Sequence, residues 1–297
     1  MSDTAHTPNP EPSRRWVEIL GFIVIAFLLY TGICDYWQHS RPSYGPPQAE
    51  RLDLIVAPGV RVEILPSAGS LRDEKFAAFD VSPEGDVLVS IGPRVVEMES
   101  GEDIFTEKVA VHSFAFVRDA LAVIDTQGRL GFLAQGKFET VGEPPVPHCK
   151  LLPSTDHTRL FFLREGYDNG NNIPALLSMN SESEPEILTG SFSALQAAGG
   201  DMLQTYFSDR HALFRILVPG SPSFLFVLPD SKLSITGIVV AGTVLYFASE
   251  KAVYVLQGGI AVPLVVGLGG ALRIAGGSLY VLEPEHGRVY RITPSKR

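Results

Sequence analysis

Apolar and polar positions along this chain recur as one phrase. It is an apolar strand, a turn of Gly or polar residues, a second strand opening on a leucine, then a third and often a fourth strand. The copies read FAAFDVSPEGDVLVSIG from Phe76, VHSFAFVRDALAVID from Val111, CKLLPSTDHTRLFFL from Cys149, SALQAAGGDMLQTYF from Ser193, ITGIVVAGTVLYFAS from Ile235 and GALRIAGGSLYVLE from Gly270. Leu88, Leu121, Leu160, Leu203, Leu245 and Leu279 align as the residues that open the second strands. Third strands are predicted at Arg94, Arg129, Ala175, Ala212, Ala252 and Arg288. Fourth strands follow at Asp103–Glu107, Phe138–Val141, Glu186–Leu188, Ser223–Leu228 and Val262–Val266, and the last copy has none. A spare strand, Val60–Leu65 (VRVEIL), precedes the first copy and is placed to supply that missing outer strand.

A fixed phrase at unequal spacing is what stacked β units with loops of varying length produce. Radial closure of such units leaves only short outer edges exposed. It also accounts for unbroken apolar runs such as Leu264–Leu268, since a sheet covered on both faces need not alternate. The fold class is therefore all-β, a six-bladed β-propeller over residues 60–297. A pair of stacked sandwiches and a ring of five or seven blades are the alternatives. With these repeats the chain resembles the six-bladed propeller group that includes NHL-repeat, TolB-like and SMP-30/gluconolactonase-like proteins. The resemblance implies a family of protein-binding scaffolds, ligand binders and metal-dependent lactone hydrolases, and so no single activity.

Ahead of the repeats the pattern changes. Trp16–Cys34 (WVEILGFIVIAFLLYTGIC) carries Glu18 as its only charge. As a helix its length is about 28 Å, against a hydrocarbon core of about 30 Å. Trp16 at one end and Tyr30, Tyr36 and Trp37 toward the other suit the two headgroup levels. Arg14 and Arg15 precede the segment and only Arg41 follows closely, so the N-terminus is expected in the cytoplasm. The expected organisation is a disordered cytoplasmic tail over residues 1–15, a single-pass transmembrane signal anchor over 16–37, a Pro-rich linker over 38–59, and the propeller on the periplasmic side of an inner membrane. A cleaved signal peptide is the rival reading, but Thr31–Asp35 offers no small-x-small cleavage site.

Composition narrows the chemistry. A net charge of −9, with no run of Lys and Arg among aromatics, excludes a nucleic-acid partner. Cys34 and Cys149 lie far apart in the chain and are not expected to pair, and Cys149 is read as a buried inert thiol. No HExxH, GxSxG, Walker, CxxC or Rossmann pattern occurs, and the seven histidines are scattered singly. No cofactor is implied. The polar insertion Arg164–Pro174 contains Asp168, Asn169, Asn171 and Asn172, which are oxygen ligands in type, but the spacing matches no EF-hand and a solvated hairpin is the simpler account.

Aligned first strands contribute Asp80, Gln196 and Arg273 to the channel lining, and otherwise apolar residues. Once the ring closes, the blades of Asp80 and Arg273 become neighbours and the two side chains are placed to pair. Lactonase-like members of the group hold their metal in the channel with several carboxylates and amides. This lining departs from that pattern. The expected function is a membrane-anchored interaction module or subunit of an envelope complex, whose partners are other membrane or periplasmic proteins and, through residues 16–37, the bilayer. A metal-dependent lactone or ester hydrolase and a small-ligand or glycan sensor are the alternatives.

Overall fold

Apolar runs cut by Gly-bearing turns produce strands and, among the described residues, only one short helical turn, at Gly69–Leu71. The computed structural model describes residues 54–71, 74–106, 108–134, 137–145, 148–164, 174–180, 185–189, 192, 194–283 and 286–294. Two strands, β1 (Ile55–Val56) and β2 (Val60–Ile64), precede the blades. Blade 1 is β3 (Phe79–Val81), β4 (Val87–Ile91), β5 (Arg94–Glu97) and β6 (Asp103–Thr106). Blade 2 is β7 (Val111–Val117), β8 (Ala120–Asp125), β9 (Leu130–Ala134) and β10 (Lys137–Gly142). Blade 3 is β11 (Lys150–Pro153), β12 (Arg159–Arg164), β13 (Ala175–Asn180) and β14 (Glu186–Thr189). Blade 4 is β15 (Ala197–Gly200), β16 (Thr205–Ser208), β17 (Ala212–Ile216) and β18 (Pro222–Val227). Blade 5 is β19 (Ile235–Ala241), β20 (Val244–Ser249), β21 (Ala252–Gln257) and β22 (Ile260–Val266), with β1 added outside β22. Blade 6 is β23 (Ala271–Ala275), β24 (Ser278–Glu283) and β25 (Arg288–Pro294), with β2 as its outer strand.

The spare strand closes the ring. β2 pairs antiparallel with β25, from Val60 opposite Pro294 to Ile64 opposite Tyr290, so the two ends of the domain share one sheet. Inner strands touch in ring order, β3, β7, β11, β15, β19, β23 and back to β3. The architecture is a six-bladed β-propeller. The repeat pattern does not anticipate β1. Ile55 and Val56 lie opposite Val266 and Val265, so blade 5 takes in residues that proline content alone assigns to the linker.

Apolar side chains are buried between blades rather than in one central core. Phe79, Val89 and Val96 of blade 1 pack with Tyr280, Leu282 and Val289 of blade 6. Ala115, Ala122 and Ile124 of blade 2 pack with Leu151, Leu160 and Phe162 of blade 3. A strand such as β4 is consequently buried at every position, which explains runs without alternation. One alignment fails. Leu203 does not open a second strand; it lies in the turn before β16 and is 78% exposed. Asp201 Oδ1 accepts the Leu203 and Gln204 N–H groups, at 2.8 and 2.9 Å, making a wider turn than the two-residue hairpins of blades 2, 5 and 6. Tyr206, opposite Gly199 and buried, fills the place that leucine holds in other blades.

Blades 4 and 5 meet backbone to backbone. A Cβ on Gly199 would lie 2.1 Å from the Ile238 carbonyl oxygen, far inside contact distance. Gly199→Val is therefore expected to force the two inner strands apart and to cost about 1–3 kcal/mol or more, as overpacking does. Urea unfolding midpoints of the two proteins check this; an unchanged midpoint would show that the blades are free to separate.

The expected membrane segment, residues 16–37, lies outside the described residues. Among the described residues no helix is long and apolar enough to cross a membrane.

Candidate functional site at the axis and rim

Asp80 sits on β3, the innermost strand of blade 1, with its side chain 1% exposed. Arg273, on the facing inner strand β23 of blade 6, donates from Nε to Asp80 Oδ1 at 3.0 Å and from Nη1 to its neighbour's carbonyl, Leu272 O, at 2.8 Å. Its guanidinium also lies over the Phe79 ring, 5.3 Å from the centroid. The second carboxylate oxygen accepts the Phe116 N–H of blade 2 at 2.7 Å. One side chain thus joins three blades across the seam where the ring closes. Burial pushes the Asp80 carboxyl above the usual range, against the pull of Arg273, the Phe116 N–H and nearby His157.

The turn between β11 and β12, Ser154–Thr158, reaches blades on either side of its own. Thr155 donates its N–H to Gly200 O at 2.7 Å in blade 4, and its Oγ1 accepts the Val240 N–H of blade 5 at 3.2 Å. His157 O accepts the Arg118 N–H of blade 2 at 2.7 Å, and its ring stands edge-on to Phe116, 6.2 Å away. Asp156 holds the turn in shape. Burial raises its pKa, but hydrogen bonds from Ser154, Thr158 and the Met202 N–H outweigh that and hold the carboxyl below its ordinary value. His157 adopts φ 53° and is buried, with Nδ1 unpartnered among the described residues.

Asp80 and this turn act as brackets. Both carboxylate oxygens of Asp80 are engaged inside the protein, and its side chain is closed to solvent. Gln196 stands apart from the pair, half-buried just ahead of β15, with its N–H bonded to Ser208 O at 2.9 Å. Asp168, Asn169, Asn171 and Asn172 lie outside the described residues. Among the described residues no group of three or more His, Cys, Asp or Glu is placed to hold a metal ion. Cys149 is a free thiol with no exposure, and burial pushes its pKa up to about 12.

The rim differs. In blade 4 a ladder of rings runs outward from the core. Phe207 stacks on Phe214 at 5.1 Å, and Phe214 meets Phe224 edge-on at 5.9 Å. Phe207 is fully buried and Phe224, on the outer strand β18, is 61% exposed. Leu217 and Val218 at one end of β18 and Val227 at the other are exposed as well. The signal is present in the sequence as the uncharged run Ser221–Pro229, but only the blade order shows that it forms a free edge.

No protein-family model matches the chain, and no curated protein matches its sequence. Solved structures do match. A protein named as a gluconolactonase superposes with a TM-score of 0.56 at 14% identity, covering 80% of this chain and 93% of that one. The likeness is one of fold. An oxidoreductase named as a glucose dehydrogenase, from Thermus thermophilus, gives a TM-score of 0.55 at 14% identity over 79% of this chain and 100% of that one. The extracellular domain of a one-component system of B. thetaiotaomicron gives 0.51 at 10% identity over 72% of this chain, which spans 32% of that longer protein.

Proposed function

We propose that this chain is a membrane-anchored interaction module, in which residues 16–37 anchor the protein, the Pro-rich residues from 38 to the start of β1 form the linker and the extracytoplasmic propeller holds another membrane or periplasmic protein. The observation that carries the reading is the contrast between axis and rim. Polar groups at the axis are spent on joining blades to one another, whereas an apolar, uncharged strand faces outward at blade 4. Large exposed apolar patches on a folded domain mark contact surfaces. A tether adds to this by raising the concentration of partners near the membrane, which suits contacts of modest affinity. The same fold serves as an extracellular domain in the one-component system, which agrees with an extracytoplasmic placement.

Affinity capture of the tagged full-length chain in a gentle detergent, followed by mass spectrometry, tests the proposal beside a soluble exported form that begins at Gln48. Recovery of the same stoichiometric partner with both forms is the expected result. A soluble domain that recovers no partner but carries a bound metal or small molecule would overturn the interaction reading in favour of hydrolase or sensor activity.

A further inference from the structure

Outer strands of a propeller are unpaired edges, and proteins blunt such edges with charge, proline, bulges or cover. Charge or cover protects five of the blades. β6 carries Asp103, β10 carries Lys137 and Glu139, β14 carries Glu186, and β2 carries Arg61 and Glu63. β22 contains Pro263 and is covered by β1. β18 has neither charge nor cover: Ser221–Pro229 contains no charged residue, and no described strand lies outside it. Its one proline, Pro222, is its first residue and leaves Ser223–Val227 free to pair.

Blade 5 shows what an added strand does on this scaffold. Its outer strand has a bulge at Leu264, skipped between Pro263 and Val265 in the pairing with β21. β1 pairs just beyond it, and the Ala57 N–H bonds to Leu264 O at 2.8 Å. Blade 4 has the same bulge at the same place, since Leu225 is skipped between Phe224 and Phe226 in the pairing with β17. Blades 1 and 3 skip Ile104 and Leu188 in the same way, but their outer strands carry Asp103 and Glu186. The geometry that receives a fifth strand in blade 5 is therefore repeated without charge in blade 4.

We infer that β18 receives the β18 strand of a second copy of this chain, antiparallel across a two-fold axis passing near Leu225. The inference rests on the interaction-module reading and names its partner. A two-fold contact requires a self-complementary surface. Phe224-Leu225-Phe226 reads the same in both directions, so antiparallel pairing sets apolar side chains against apolar ones. With Ile104, Val62 or Leu188 set opposite Leu225, β6 would place Asp103 against Phe226, β2 would place Arg61 and Glu63 against Phe226 and Phe224, and β14 would place Glu186 against Val227. An uncharged contact also places none of the net −9 charge at the interface. One strand pair is small beside the ~1,200 Å² of a stable interface, so confinement of both copies to one membrane supplies the concentration the contact needs.

Sedimentation of the full-length chain in mild detergent, over a range of protein concentrations, is expected to show a monomer–dimer equilibrium. The double variant Phe224→Lys, Val227→Lys is expected to be monomeric throughout and, losing the Phe224 ring contact with Phe214, to melt within a few degrees of wild type, and Glu139→Lys on blade 2 is expected to retain the dimer. Should the double variant fail to fold, Ser223→Cys in a Cys34→Ser background provides a second measurement, with a short bifunctional thiol cross-linker expected to join two chains in membranes. A wild-type chain that is monomeric at every concentration, a dimer that survives the double variant, or no cross-linked pair would overturn the inference. Loss of a different captured protein in the double variant, with no dimer in the wild type, would overturn the second copy as occupant and leave the interaction-module reading standing. A dimer with no other partner captured would support the second copy and remove the wider envelope complex.

Discussion

Replacing Val60–Leu65 with a Gly-Ser run of equal length is expected to leave little folded protein. β2 is the only strand of blade 6 that comes from the other end of the domain, and its pairing with β25 runs over five residue pairs. Gly and Ser keep the backbone donors and acceptors, so the loss comes from the side chains, Leu65 among them on the core between blades 1 and 6, and from about 0.5–1 kcal/mol of backbone entropy per glycine, together several kcal/mol and enough to free the strand. Val289, Tyr290 and Ile292 on β25 are fully buried. Uncovering their sheet edge adds to that loss and creates a new site for aggregation. A domain of this kind has about 5–15 kcal/mol in total. Circular-dichroism melting of the tagged full-length chain, with its recovery as a monodisperse species, measures the effect. A replaced protein that melts with the wild type would show that the ring does not depend on β2 for closure.

Arg273→Ala is expected to lower stability by about 3–5 kcal/mol at neutral pH, on the order of 10 °C in Tm, because it leaves the buried Asp80 carboxylate without its countercharge. The pH dependence separates this from simple loss of packing on Phe79. Burial already raises the Asp80 pKa, and removing Arg273, the strongest of the opposing pulls, raises it further. A carboxyl with a raised folded-state pKa binds more protons folded than unfolded, so stability falls as pH rises from the unfolded value toward the folded one. The deficit of the variant relative to wild type should thus be greatest near neutrality and shrink on acidification, as Asp80 takes up a proton and needs no countercharge. Asp125 and Asp156 have lowered pKa values and lose their stabilising effect as pH falls, but they do so equally in both proteins. A deficit of the same size at every pH would mean that Arg273 acts only through packing.

How much of this is legible in the chain depends on the range of the interaction. Short hairpins such as Gly276-Gly277, where both glycines adopt positive φ between β23 and β24, are local and can be read from the repeat itself. Leu203 misleads for a related reason: the repeat suggests a leucine at the start of the strand, while the Asp201 side chain sets a wider turn that moves the start to Thr205. Asp80 beside Arg273 is reachable by alignment, because blade order follows chain order and closure makes the first and last blades neighbours. The second acceptor contact of Asp80, the turn around His157 and the pairing of β1 are not.

Apolar periodicity and turns of a few residues are local properties, so the blade strands apart from β1 and the start of β16, their grouping into six units and the origin of the closing strand are written in the chain. Which further polar groups join Asp80 and Arg273 at the axis, and which apolar strand is left facing outward, emerges only once the blades are assembled. Those outcomes depend on how far neighbouring blades approach and rotate about the ring. That approach is set by packing summed over whole blades, such as the close contact of Gly199 with Ile238, and no local stretch of chain encodes it.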